Sequence, residues 1–176
     1  MVFYDDNLLV WQCLNGRKDA FEKLVDKYQK VILNVAYRMT GNLDDAEDVT
    51  QAVFLKAYNN LSLFKLEHKF FSWLYRIAIN ECLNQAKPKK RVEKLEHDII
   101  SQEKSPEEIY AANELSSQIQ TALMKLTLEY RSAIILRHYR QCSYQEIGDI
   151  LNIPVKTVKS RLFTARQLLR DILGKQ

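Results

Sequence analysis

The chain has 176 residues, of which 27% are charged and 47% hydrophobic, with only 4 Gly and 3 Pro and a formal net charge of +4. That composition excludes collagen-like, low-complexity and extensively disordered chains, and the length allows one domain or two small ones. No run approaches the roughly 18 consecutive apolar residues of a membrane span, and residues 1–6 lack the basic start of an export signal, so a cytoplasmic protein without membrane insertion is expected.

In chain order, Leu8, Leu9, Trp11 and Cys13 mark a short first helix ending near Gly16. Phe21, Leu24, Val25, Tyr28, Val31, Ile32, Val35 and Ala36 recur at spacings of three and four, predicting a long helix that stops by Gly41. Asn42 and Asp44 are cap candidates for a third helix whose first turn carries Asp44, Asp45, Glu47 and Asp48, where the helix dipole favours anions. A fourth helix is expected over about Lys69 to Ala86, before Pro88. Phe70, Phe71, Trp73 and Tyr75 are more aromatic area than one helical face can bury; beside Arg76 they suit either a dense core or stacking on unpaired bases.

Charge is unevenly distributed. Residues 1–60 carry nine acids and seven bases, residues 93–114 seven acids and two bases, and residues 137–170 seven bases and two acids. An acidic stretch with Ser and Pro therefore divides a near-neutral first half from a basic second half, as a linker would. No segment alternates as a strand does. The expected fold is all-α: helical domains over 1–86 and 113–176, joined by an acidic, flexible linker over 87–112.

The second half opens near Asn113 with Leu115, Ile119, Ala122, Leu123 and Leu126, and a second helix should continue through Ala133, Ile134, Leu136 and Tyr139. Ser143-Tyr144-Gln145-Glu146 then reads as a capping box opening a short helix with Ile147, Ile150 and Leu151 on its apolar face. After Asn152 and Ile153, Pro154 suits the first position of a helix carrying Val158, Leu162, Ala165 and Leu169 on one side. Short helix, tight turn and second helix make a helix-turn-helix. With the apolar side inward, Lys156, Lys159, Ser160, Phe163 and Gln167 lie on the face a DNA major groove would meet.

Cys13, Cys82 and Cys142 form no C-x-x-C, and His68, His97 and His138 are equally scattered. Structural thiols, with no metal or cofactor, are the expectation, and no nucleophile or paired acids suggest an enzyme.

Three segments carry a family resemblance: Asp44 to Tyr58 (DDAEDVTQAVFLKAY), Phe71 to Asn80 (FSWLYRIAIN), and Ser143 to Gly148 (SYQEIG) leading into Val155 to Leu162 (VKTVKSRL). In this order they resemble the bacterial RNA polymerase sigma factors of the sigma-70 family, extracytoplasmic-function (ECF) class. The resemblance implies a non-enzymatic subunit that binds core RNA polymerase, directs it to promoter DNA through −35 and −10 elements and helps open the duplex. It places core binding at Asp48, Gln51 and Phe54. It places −10 recognition around Phe64 and Asn80, with Trp73, Tyr75 and Arg76 beside them, Trp73 and Tyr75 largely in packing roles. Recognition of −35 DNA falls to Lys156, Thr157, Lys159, Ser160, Arg161, Phe163 and Thr164. It also implies an anti-sigma factor as partner and a linker running near the RNA exit path. Thr127, Gln141-Cys142 and Thr164 depart from the residues common at those places in the family.

An alternative reading from the residues is a helix-turn-helix regulator that binds operators unaided; a helical interaction adaptor is a third. Dependence of promoter binding on core polymerase separates them.

Overall fold

A computed structural model of the chain describes residues 5–86 and 114–174, with the side chains of 114–116 excepted. The expected linker over 87–112 lies outside the described residues. Among those described there are eight α-helices and no strand.

The first half comprises α1 (Asp6–Leu14), α2 (Asp19–Thr40), α3 (Leu43–Asn59), a 3-10 turn (Leu61–Leu63) and α4 (Phe70–Gln85). Each boundary has a local cause. Asp5 caps α1 by accepting from the Asn7 N–H, and Asn42 caps α3 by accepting from the Asp45 N–H at 3.0 Å. Between α2 and α3, Gly41 takes a left-handed φ of 76°, and its N–H bonds the Tyr37 carbonyl at 2.7 Å. The apolar periodicity of α2 is buried as expected, with Leu24, Ile32, Val35, Ala36 and Met39 inaccessible against Val49, Val53 and Ala57 of α3 and Leu74 and Ala78 of α4. The Asp6 carboxylate anchors α1 to α2 by accepting from Tyr28 Oη and Lys27 Nζ, each at 2.6 Å.

The second half comprises α5 (Glu114–Met124), α6 (Leu128–Ile134), α7 (Tyr144–Leu151) and α8 (Val155–Leu173). The helix expected to run on through Tyr139 instead widens after Ile134 into a π turn over Ile135–Tyr139, with Arg140 N–H bonding the Ile135 carbonyl. The extra residue leads into Gln141, which has a left-handed φ of 55°. The capping box forms: Ser143 Oγ accepts from the Glu146 N–H and the Glu146 carboxylate from the Ser143 N–H. Pro154 is not the first helical residue. Its ψ of 147° keeps it extended, and its carbonyl opens α8 by accepting from Thr157 and Val158 N–H.

The halves pack on each other. Arg131 is buried with no carboxylate paired to it among the described residues; its guanidinium donates to the carbonyls of Leu123, Met124 and Leu126 and, across the seam, to that of Met39 at the C-terminal end of α2. Carbonyls at a helix end carry the partial negative charge that a cation needs. Also crossing the seam, the Arg38 guanidinium stacks on the Tyr139 ring at 3.7 Å and Gln120 Nε2 donates to the Tyr37 carbonyl at 3.3 Å.

Candidate nucleic-acid interface

On the first half, α4 and the segment before it build a solvent-facing cleft of about 420 Å³. Trp73, Ile77 and Leu63 give it apolar surface, Asn60, Asn80 and Asn84 give it amides, and Lys56 and Glu81 form an ion pair at 2.6 Å on its edge. Asn80 and Asn84 are one helical turn apart, so both side chains reach the same side of α4. The preceding loop is held in place by Asn7 Nδ2, which donates to the Leu66 carbonyl at 2.8 Å.

The aromatic cluster divides its labour. Phe70 and Tyr75 are buried, whereas Phe71 and Trp73 are half-buried. Phe64 does not line the cleft: only 5% exposed, its ring packs edge-on against Phe70 at 5.6 Å and tilted against Trp73 at 5.4 Å. A phenyl ring in an apolar loop gains more from that burial than from solvent, so it sits behind Trp73 and sets the indole's position. Tyr75 is a packing residue whose Oη accepts from Arg140 Nε at 2.7 Å, and burial raises its phenol pKa. Arg76 is exposed and donates to the Asp149 carbonyl. Asn80 is exposed within the cleft.

On α3, Asp48 and Gln51 are exposed, while Phe54 is half-buried against the core. At about 100° per residue, the face of Asp48 and Gln51 continues through Leu55 and Tyr58 rather than Phe54. Leu55 is 63% exposed, and Tyr58 packs edge-on against Phe21 at 5.0 Å while remaining 43% exposed.

On the second half, Ile147 and Ile150 of α7 and Val158, Leu162 and Ala165 of α8 form the buried side of the helix-turn-helix. The opposite side of α8 presents Lys156, Lys159, Ser160 and Phe163 to solvent, the phenyl ring 66% exposed. Thr157, Arg161, Thr164 and Gln167 are half-buried flanks, and Arg161 pairs with Glu129 at 3.1 Å. An exposed Phe one turn after Lys159 gains nothing in a free helix and suits contact with a thymine methyl or sugar.

Burial pushes the Cys82 thiol up to about 12 and the Cys142 thiol up to about 11, so both stay protonated and inert at neutral pH. No cluster of potential metal ligands is present among the described residues, and no described helix is long and apolar enough to cross a membrane.

Residues 24–92 match the family described as Sigma-70 region 2, and residues 116–169 match Sigma-70, region 4. The ECF RNA polymerase sigma factor SigW of Bacillus subtilis is 39% identical over 174 residues, spanning 92% of this chain and 93% of the relative. The chain belongs to the ECF sigma factors of the sigma-70 family. The ECF RNA polymerase sigma-E factor of Escherichia coli is 32% identical over 93% of this chain and 92% of its own length. Among solved structures, CnrH in complex with the cytosolic domain of CnrY is similar with a TM-score of 0.76 and 25% identity, covering 97% of this chain and 98% of CnrH. The sigma factor RpoE of Bartonella quintana, solved with the anti-sigma factor NepR, gives a TM-score of 0.69 at 25% identity, covering 88% of this chain and 96% of RpoE.

In this sigma factor the cleft falls within the region 2 match and the exposed face of α8 within the region 4 match. Asn60, Asn84 and Lys56 in the cleft and Leu55 and Tyr58 on α3 join the residues expected from sequence. The Asn80–Asn84 spacing was visible, and so was the 48-51-55-58 stripe; what sequence lacked was the knowledge of which faces the second half leaves open.

Proposed function

We propose that this sigma factor divides promoter engagement among three surfaces. The α3 stripe of Asp48, Gln51, Leu55 and Tyr58, with Phe54 at its edge, docks core RNA polymerase; an acidic, partly apolar helix face suits a helical partner. The α4 cleft takes a base from the displaced −10 strand, with Trp73 backed by Phe64 as stacking surface and Asn80 as the amide that reads a base edge. Removing a base from the stack costs a few kcal/mol, which stacking of about 1–3 kcal/mol together with an amide contact offsets. The α8 face of Lys156, Lys159, Ser160 and Phe163, flanked by Thr157, Arg161 and Thr164, reads the −35 element as duplex.

The observation that carries this reading is the pairing, in one chain, of an amide-and-indole cleft with a separate cationic recognition helix. One suits unpaired bases and the other duplex. The chemistry belongs to the polymerase, so the chain is non-enzymatic and works in the cytoplasm. Because RpoE was solved with an anti-sigma factor, we extend that class of partner to this chain.

Run-off transcription from genomic promoter fragments tests the reading. Specific initiation only when core polymerase and this protein are both present is the expected result. Tight binding to those fragments without core, and no initiation with it, would instead assign an operator-binding regulator.

A further inference from the structure

The ion pair on the edge of the α4 cleft is unlike an ordinary surface bridge. Glu81 follows Asn80 on α4, and Lys56 comes from the last turn of α3. Lys56 Nζ donates to Glu81 Oε1 at 2.6 Å, and the carboxylate side chain is only 15% exposed. Beside the pair, Asn60 Nδ2 donates to the Lys56 carbonyl at 2.8 Å and so fixes a third cleft residue against the same turn. Among the described residues nothing donates to the second carboxylate oxygen, Glu81 Oε2, so its remaining partner in the free chain is solvent.

A base seated on Trp73 displaces that solvent. Oε2 must then take a proton from the base or go without, and a desolvated charged acceptor left unmet is costly. Adenine, cytosine and guanine each carry an exocyclic amine beside a ring acceptor. The amine can donate to Glu81 while the acceptor takes a second proton of the Lys56 ammonium. Thymine has no amine, and its single N3–H lies between two carbonyl oxygens whose lone pairs a carboxylate repels.

We infer that Glu81, held in place by Lys56, is the specificity determinant of the cleft: it admits bases that carry an exocyclic amine and refuses thymine. This rests on the reading of α4 as a base cleft given above. Because the pair carries no net charge, it adds nothing to counterion release and acts on the choice of base rather than on affinity for DNA in general. A pair that only ties α3 to α4 predicts a different pattern, an equal change on every sequence.

The test uses holoenzyme assembled from core polymerase and the full chain, wild type or Glu81→Gln. The templates carry a promoter found by run-off transcription, pre-melted over its −10 element, with the non-template strand randomised there. Glutamine keeps an acceptor for Lys56, and its amide N–H can meet a thymine carbonyl.

Wild type should bind thymine about tenfold more weakly than the best base at one position, and Glu81→Gln should bring thymine within about twofold there, with other positions ranked as before. Deleting the amine alone at that position (purine for adenine, 2-pyrimidinone for cytosine or hypoxanthine for guanine) should cost wild type roughly five- to tenfold and the variant little. A wild type that accepts thymine at every −10 position overturns the inference. So does refusal of thymine that survives Glu81→Gln, or an equal weakening over all sequences, which reduces the pair to a tie between helices. Asn80→Ala, a change at an exposed position, separates the two levels. If it shifts the base preference and Glu81→Gln does not, only the role of Glu81 falls; if neither variant alters any ranking, the base cleft itself falls.

Discussion

Ser143 and Glu146 hold each other at the head of α7, the Glu146 N–H donating to Ser143 Oγ at 3.2 Å and the Ser143 N–H to Glu146 Oε2 at 2.8 Å. The other carboxylate oxygen takes Lys69 from the opposite half. The Lys69 hydrogen bond, followed by the one from the Ser143 backbone, holds the Glu146 carboxyl below its usual 4.5. A depressed acid contributes stability that is complete above its unfolded value and is lost as pH falls through the folded one. The stability gap between wild type and Glu146→Gln should therefore be flat around neutrality and close only below pH 4.5. Urea unfolding at stepped pH measures it; a gap persisting fully under strong acid would show that the carboxylate charge contributes nothing.

Gln141 follows the π turn in the left-handed region, with a φ of 55°. The left-handed region costs a residue bearing Cβ about 1–2 kcal/mol, while glycine's extra freedom when unfolded costs about 0.5–1 kcal/mol. Gln141→Gly should thus stabilise the chain by up to about 1 kcal/mol, seen as a higher denaturant midpoint at unchanged slope. Asn152, at φ 54°, is the control: asparagine tolerates this region, and glycine there should change stability little.

The Asn152 turn is legible in the sequence because its causes are local, whereas the π turn before Gln141 is not. Capping box, apolar spacing and cap residues lie within a few positions of one another, and α1 to α4, α7 and α8 followed from them. What was hidden depended on contacts between distant residues. Arg131 looks like an ordinary helix-surface arginine until Met39, 92 positions away, supplies the last carbonyl of its cage. The resemblance places Phe64 at the base pocket, and nothing local in the chain announces that Phe70 and Trp73 enclose its ring. The α4 aromatics were ambiguous for the same reason, and the packed structure divides them between buried Phe70 and Tyr75 and accessible Trp73.

Gly148 is required by the helix-turn-helix itself. A Cβ there would lie 2.9 Å from the Ile153 carbonyl oxygen, and the Ile153 N–H closes the turn onto the Gly148 carbonyl at 3.0 Å. Overpacking of this kind costs about 1–3 kcal/mol, against about 1 kcal/mol gained in helix propensity. Gly148→Ala should lower the melting temperature and weaken −35 duplex binding by holoenzyme, while core affinity, which the proposed function assigns to α3, should be retained. Parallel loss of core affinity would mean global unfolding rather than a sprung turn.

Asn80 lies in the cleft on α4, away from the Asp48–Gln51–Leu55–Tyr58 stripe of α3. Asn80→Ala should slow promoter opening, followed by permanganate reactivity of unpaired thymines, without changing the affinity for core polymerase in a competition assay. Pre-melted templates should recover only part of the rate, since they remove the cost of unpairing but not the lost base contact. Complete recovery would assign Asn80 to melting alone, and equal loss of core affinity would remove it from the DNA-binding surface.

Lys159 and Ser160 occupy the middle of the exposed α8 face, one turn before Phe163. Their neighbour Arg161 is tied to Glu129, so it is less free to follow a base edge. If Lys159 and Ser160 reach base edges, each alanine variant should cost holoenzyme about 1–3 kcal/mol, roughly 5- to 150-fold in affinity, with preference relaxed at one −35 position. A phosphate contact predicts something different: uniform weakening over all −35 sequences and a salt slope shallower by about one for the lysine. Binding of holoenzyme to a library of −35 duplexes at two salt concentrations separates the cases, because base readout changes the ranking of sequences and phosphate contact moves them all together.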